Sequence, residues 1–145
     1  MPGIVVGVDG STGSHEALTW AAKQAALQHG ALTVLTVHPV VASAWTGNPV
    51  IGGQDKSEQE KARQAAEEAT AKVTSELGDQ QPAAVTVRAA SGFVAQELID
   101  ASKDADLLVV GSRGGGGFAA LVLGSVTTQV VGHAHCPVVV VRPAH

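Results

Sequence analysis

Short apolar runs alternate along this chain with alanine-rich stretches of helical period, and that alternation restricts the fold more than any other feature. Ile4-Val5-Val6-Gly7-Val8-Asp9 is apolar at successive positions and ends in a carboxylate. Strand side chains point alternately to two faces, so an unbroken apolar run predicts a strand buried on both, as in a parallel sheet. Ala31 to Val37 reads as a second strand stopped by His38-Pro39, Val85 to Ala89 as a third and weaker one, and Leu107 to Val110 as a fourth. Pro137 to Val141 reads as the last strand, ended by Pro143.

Helical patterns fill the intervals. Gly10 to Gly13 form a turn, and Ser14 is the expected N-cap, with Glu16 in the first helical turn. Ala17, Leu18, Ala21, Ala22 and Ala25 follow at helical spacing up to Gly30, a suitable residue to end the helix. Gln54 to Leu77 predicts a long helix with Ala62, Ala65, Ala66, Ala69, Val73 and Leu77 on one face. Ser91-Gly92 introduces a short helix carrying Val94, Leu98 and Ile99 inward, and Val126 to Ala134 forms the final one. Residues Val40 to Gly53 have no clear period and read as a long loop, with Trp45 a lid or dimer contact.

The resulting order, β-α-β-α-β-α-β-α-β, predicts an α/β fold: an open, doubly wound, five-stranded parallel sheet with helices on both faces and right-handed crossovers. The 145 residues read as a single domain, residues 1–145, with no internal repeat. Aromatic residues are only 3% of the chain, so the core must come from Val, Leu, Ile and Ala. A formal charge of −4 without any Lys/Arg cluster argues against a nucleic-acid surface. The apolar stretches fall far short of the roughly 20 residues that span a bilayer, so no membrane partner is expected. Met1-Pro2-Gly3 runs into a strand without a charged-then-apolar leader, and a cytoplasmic protein is the expectation. The lone Cys136 excludes an internal disulfide, and His133-Ala134-His135-Cys136 lacks the supporting ligands of a metal site.

The chemistry concentrates after the fourth strand. Five of the seven residues from Gly111 to Gly117 are glycine, around Ser112 and Arg113. Backbone without Cβ lets N–H groups approach an anion closely. Gly124-Ser125-Val126-Thr127 then opens a helix, whose first N–H groups lack intrahelical acceptors. Strand end, glycine loop and helix start together predict a phosphate cradle. Arg113 is a natural phosphate partner, or else a solvated loop residue. Ser125 and Thr127 offer hydroxyls to phosphate, or cap the final helix, and Ser112 is a further polar loop contact. Phe118 packs or lies near a base.

The spacing Gly111, two residues, Gly114, nine residues, Gly124-Ser125 resembles the nucleotide-binding motif of the universal stress protein family, in its ATP-binding branch. The motif is intact here, with Gly114, Gly115, Gly116 and Gly117 in its loop. The resemblance covers nearly the whole chain. It implies strand order 3-2-1-4-5, which sets Asp9 and the glycine loop at one crevice beyond the strands' carboxyl ends. The position matching Asp9 lies against the nucleotide, next to Gly7 and Val8, and the one matching Val37 meets adenine. From the residues alone Val37 is a core valine, and Asp9 is either a turn-forming residue or a carboxylate for Mg²⁺ or a ribose hydroxyl.

Three functions follow as alternatives. One is an ATP-loaded stress-response and signalling module; another is a slow Mg²⁺-dependent ATP hydrolase or phosphoryl-transfer protein using Asp9; the third is an interaction protein without nucleotide. No Gly-x-x-x-x-Gly-Lys-[Ser/Thr] motif and no assembled nucleophile–base set is present, so catalysis is not expected. In the implied order the strand Pro137-Val138-Val139-Val140-Val141 is a sheet edge with no sixth strand to cover it. An open apolar edge invites pairing with its own copy, and the resemblance also implies a homodimer through this strand.

Overall fold

Alternate side chains of the apolar runs enter two separate cores, one on each face of a single sheet. The computed structural model describes residues 3–39, 55–112 and 124–142. Within them the order is β1 (Ile4–Val8), α1 (Thr12–Gln28), β2 (Ala31–Pro39), α2 (Asp55–Ser75), β3 (Ala84–Gly92), α3 (Val94–Ser102), β4 (Leu107–Gly111), α4 (Ser125–His133) and β5 (Val138–Val141). All pairings are parallel, in the order β3-β2-β1-β4-β5 expected from the sequence. Ile4 stands between Leu32 and Leu107, and Val6 between Val34 and Val109.

On one face Ile4, Val6, Leu32, Val34 and Val109 pack with α1 and α2. On the other, Val5, Leu35, Leu108 and Val110 pack with α3 and α4. This two-sided burial is why the strands carry no polar period. Ala17, Ala21, Ala22 and Ala25 of α1 are fully buried, and their small side chains let the helix lie close to the sheet. Trp20 is partly buried against the same core.

Helix α1 begins earlier than its apolar pattern suggests. Ser11, not Ser14, is the N-cap, its Oγ accepting the Ser14 N–H at 3.2 Å. Ser14 is buried inside the helix, and Glu16 lies beyond the first turn. Gly10, at φ 84°, makes the tight exit from β1 that this early start requires. At the other end His29, rather than Gly30, takes the left-handed conformation at φ 53°, while Gly30 N–H donates to the Ala25 carbonyl. Histidine is among the side chains that tolerate this region.

Strand β2 continues through His38 and Pro39, and β3 tracks it to Gly92, so both outrun the stretches expected from apolarity. Backbone pairing, indifferent to side-chain type, extends them. In α2, Ala65 is exposed, while Thr70 takes a core position by donating its hydroxyl to the Ala66 carbonyl at 2.7 Å. Helix α3 buries Ala95, Leu98 and Ser102, with Val94 and Ile99 half-buried. Ser102 Oγ donates to the Ile99 carbonyl and accepts the His135 N–H at 2.9 Å, which fastens the α4–β5 connection to α3. Among the described residues no helix is long and apolar enough to cross a membrane.

Candidate functional site

The carboxyl ends of β1, β2 and β4 open into one cavity of about 490 Å³. That volume lies in the range of small-molecule sites, about 300–1,000 Å³. Gly7, Val8 and Asp9 enter from β1, Thr36, Val37 and His38 from β2, and Val110 and Gly111 from β4. Gly124, Ser125, Val126 and Thr127 line it from the start of α4. The sheet order produces this meeting, since β1 and β4 are neighbours and the next helices, α1 and α4, pack on opposite faces.

Asp9 sits in a tight polar turn. Its Oδ1 accepts the Ser11 N–H at 2.9 Å, and its own N–H donates to Ser14 Oγ at 3.1 Å. Ser14 Oγ in turn donates to the Ser11 carbonyl at 3.1 Å. Asp9 is therefore a turn-forming residue and a cavity carboxylate together. One oxygen holds the turn, and a carboxylate is the kind of hard oxygen ligand that could hold a Mg²⁺ ion.

The start of α4 is fastened to the end of β4 by two bonds. Gly124 N–H donates to the Ser112 carbonyl at 2.8 Å, and Thr127 Oγ1 donates to the Gly111 carbonyl at 2.7 Å. Side-chain capping, one of the two roles open to Ser125 and Thr127, does not form among the described residues. Gly124 is the N-cap, with no side-chain bond, and the Thr127 proton goes to β4 instead. Among the described residues the helix start has no side-chain cap, and its first residues line the cavity. An anion is the partner such a helix start favours.

Gly111 is also a packing residue. A Cβ there would lie 3.0 Å from the Gly13 carbonyl oxygen, so the end of β4 meets the first turn of α1 closely. Ser112 is 2% exposed and does not line the cavity, and its Oγ has no hydrogen-bond partner among the described residues. Arg113, Gly114, Gly115, Gly116, Gly117, Phe118 and the loop Val40 to Gly53 lie outside the described residues.

Several cavity residues carried no sequence signal. Ser14 looked like a cap, Ala62 and Leu98 like core positions, and Thr36 and His38 like the flanks of Val37. Only the fold brings α2 and α3 over the strand ends. His133 and His135 are exposed, and the described residues hold no group of three or more metal-binding side chains. Burial raises the Cys136 thiol above its ordinary range, in keeping with an inert residue.

Residues 2–142 match the universal stress protein family. A universal stress protein of Mycolicibacterium smegmatis is 39% identical over 140 residues, covering 97% of this chain and 48% of the relative. The chain spans about half the length of the curated relatives it matches. Among solved structures, UspA of Lactobacillus plantarum superposes with a TM-score of 0.77 at 26% identity, covering 97% of each chain. A universal stress protein in complex with cAMP superposes at 0.68 and 23% identity, covering 97% of this chain and 96% of that one, and shares the fold. A five-stranded sheet in this order and a match along almost the entire sequence agree, and the chain belongs to the universal stress protein family.

Proposed function

We propose that this chain is an ATP-binding, cytoplasmic universal stress protein that signals through its nucleotide-loaded state. The observation that carries the reading is the start of α4, whose first-turn amides stand at a cavity walled by Asp9 and Gly111. The uninterrupted spacing Gly111, Gly114, Gly124-Ser125 supports a phosphate cradle there. Val37, Val94 and Leu98 supply an apolar wall suited to a base. The cAMP complex of a protein with this fold supports an adenine nucleotide as the ligand class.

In this reading the α4 amides, with Arg113 and the loop glycines, receive the phosphates. Asp9 would hold Mg²⁺ bound to them, because a carboxylate beside bare phosphates is repelled. The chain acts as a binding module, and a slow Mg²⁺-dependent hydrolase is the second reading, which rests on Asp9 alone. The same module pairs as a homodimer through β5, the terminal strand of the described sheet.

The test is to denature the purified protein, identify released small molecules by mass spectrometry, and follow melting with added ATP and Mg²⁺. Ligand at 100 times its dissociation constant adds about 2.7 kcal/mol, a readily measured rise in melting temperature. Gly114→Glu, which sets a negative side chain among the phosphates, should abolish that rise with the fold retained. No released nucleotide and no thermal shift in the wild type would remove the reading. Turnover that Asp9→Ala abolishes would favour the hydrolase.

A further inference from the structure

We infer that Thr127 is a positioning residue for phosphate, acting through the start of α4 rather than by touching the ligand. The inference rests on the nucleotide reading above and deepens it. Thr127 is buried, and its hydroxyl has one proton, which it donates to the Gly111 carbonyl at 2.7 Å. A hydroxyl so engaged has only lone pairs to offer, and lone pairs repel phosphate oxygens. Direct donation from Thr127 to phosphate and the bond to Gly111 exclude one another.

The bond's place in the fold explains its use. Thr127 is the third residue of α4, so its side chain reaches back over the first turn. The Gly111 carbonyl it grips is the last of β4, and Gly111 itself is pressed against the Gly13 backbone of α1. The grip therefore refers the helix start to the rigid sheet and to α1 together. The second bond, from Gly124 N–H to the Ser112 carbonyl, acts on the residue before the helix. Two attachments on either side of the Ser125 and Val126 amides fix the direction in which those amides point. Preorganised donors bind an anion without an ordering cost, and a free helix start with one attachment would incur it. Gly124 supplies no side-chain cap, and the Thr128 hydroxyl turns back to the Gly124 carbonyl, so Thr127 is the described side chain of the first turn that ties it to the sheet.

The experiment compares Thr127→Val, which keeps shape but loses the proton, with Thr127→Ser, which keeps the proton. ATP and adenosine affinities are measured on each by calorimetry, together with hydrogen exchange of the Gly124 amide in ligand-free protein. Losing one preorganised contact to a charged group predicts about tenfold weaker ATP binding for Thr127→Val. Adenosine, lacking phosphate, should bind Thr127→Val as it binds wild type, and Thr127→Ser should restore ATP affinity. The Gly124 amide should exchange faster in Thr127→Val and not in Thr127→Ser. Equal losses for ATP and adenosine, or an undiminished ATP affinity in Thr127→Val, would overturn the inference. A wild type that binds neither ligand would remove the nucleotide reading itself. In that case the exchange rates still decide whether Thr127 fastens the helix start, and unchanged exchange overturns that too.

Discussion

Gly7 of β1 and Leu98 of α3 meet so closely that a Cβ at position 7 would lie 2.8 Å from Leu98 Cδ2. Leu98 is nearly fully buried at the cavity wall, so a side chain at position 7 must displace it from its packed position. Gly7 is thus required by packing as well as by its place on the cavity wall. Gly7→Val should cost about 1–3 kcal/mol, the range for overpacking a filled core. The double variant with Leu98→Ala should lose less than the sum of the two single losses. Urea unfolding of all four proteins measures the coupling, and strict additivity would show that the two residues do not interact.

Ser102 is predicted to be a structural residue despite its polarity. Its hydroxyl accepts the His135 N–H, and no solvent reaches it. Ser102→Ala leaves that N–H without its acceptor and should cost about 1–3 kcal/mol. Chemical denaturation would check this, with amide exchange at His135 accelerated. A change within experimental error would mean that the connection before β5 is held by other contacts.

The β5 edge makes the assembly testable through its backbone, at Val140, which packs half-buried against the α3–α4 side. Leu108 N–H donates to the Pro137 carbonyl and Ser112 N–H to the Val141 carbonyl, so these residues face β4. By the alternation of a parallel ladder, Val138 and Val140 present their backbone groups to the side away from β4. Val139 and Val141 pack towards α1, so charging them would strike the fold as well. Val140→Pro removes one outward N–H, a position where an edge strand tolerates proline. Sedimentation should show a dimer in the wild type and a monomer in the variant. A wild type that sediments as a monomer at micromolar concentration would dispose of the edge pairing.

Cys136 should resist alkylation at neutral pH. Burial first, and the nearby Asp106 carboxylate after it, raise the thiol's pKa, while a backbone hydrogen bond at Leu108 lowers it in part. A raised folded-state value means that the protonated thiol is favoured by folding. Its contribution to stability is complete below the ordinary thiol range and is lost as pH rises through the folded value. Iodoacetamide labelling of native protein should therefore lag a free thiol at pH 8 and catch up only at higher pH. Labelling as fast as a model thiol would contradict the burial argument.

What the sequence determined by itself was the register of apolarity. Unbroken runs such as Ile4 to Val6 and Leu107 to Val110 point to strands buried on both faces, as in a parallel sheet, and alanines at helical spacing let helices lie close. The strand order and the juxtaposition of Asp9 with the α4 start were not legible from the residues alone; they followed from the family resemblance that the glycine motif carries. What only the tertiary structure decided were choices among near-equal local options. Ser11 and Ser14 are both competent caps, and the part-buried hydrogen bond from Asp9 N–H to Ser14 Oγ selects Ser11 for the cap. Thr127 suits a phosphate contact or a helix cap equally well in sequence, and the Gly111 carbonyl, sixteen residues away, claims its proton. Ala62 and Leu98 became cavity residues because α2 and α3 cross the strand ends, an arrangement set by contacts remote in the chain. Local propensity differences of a few tenths of a kcal/mol are smaller than one buried hydrogen bond, and the long-range partner therefore prevails.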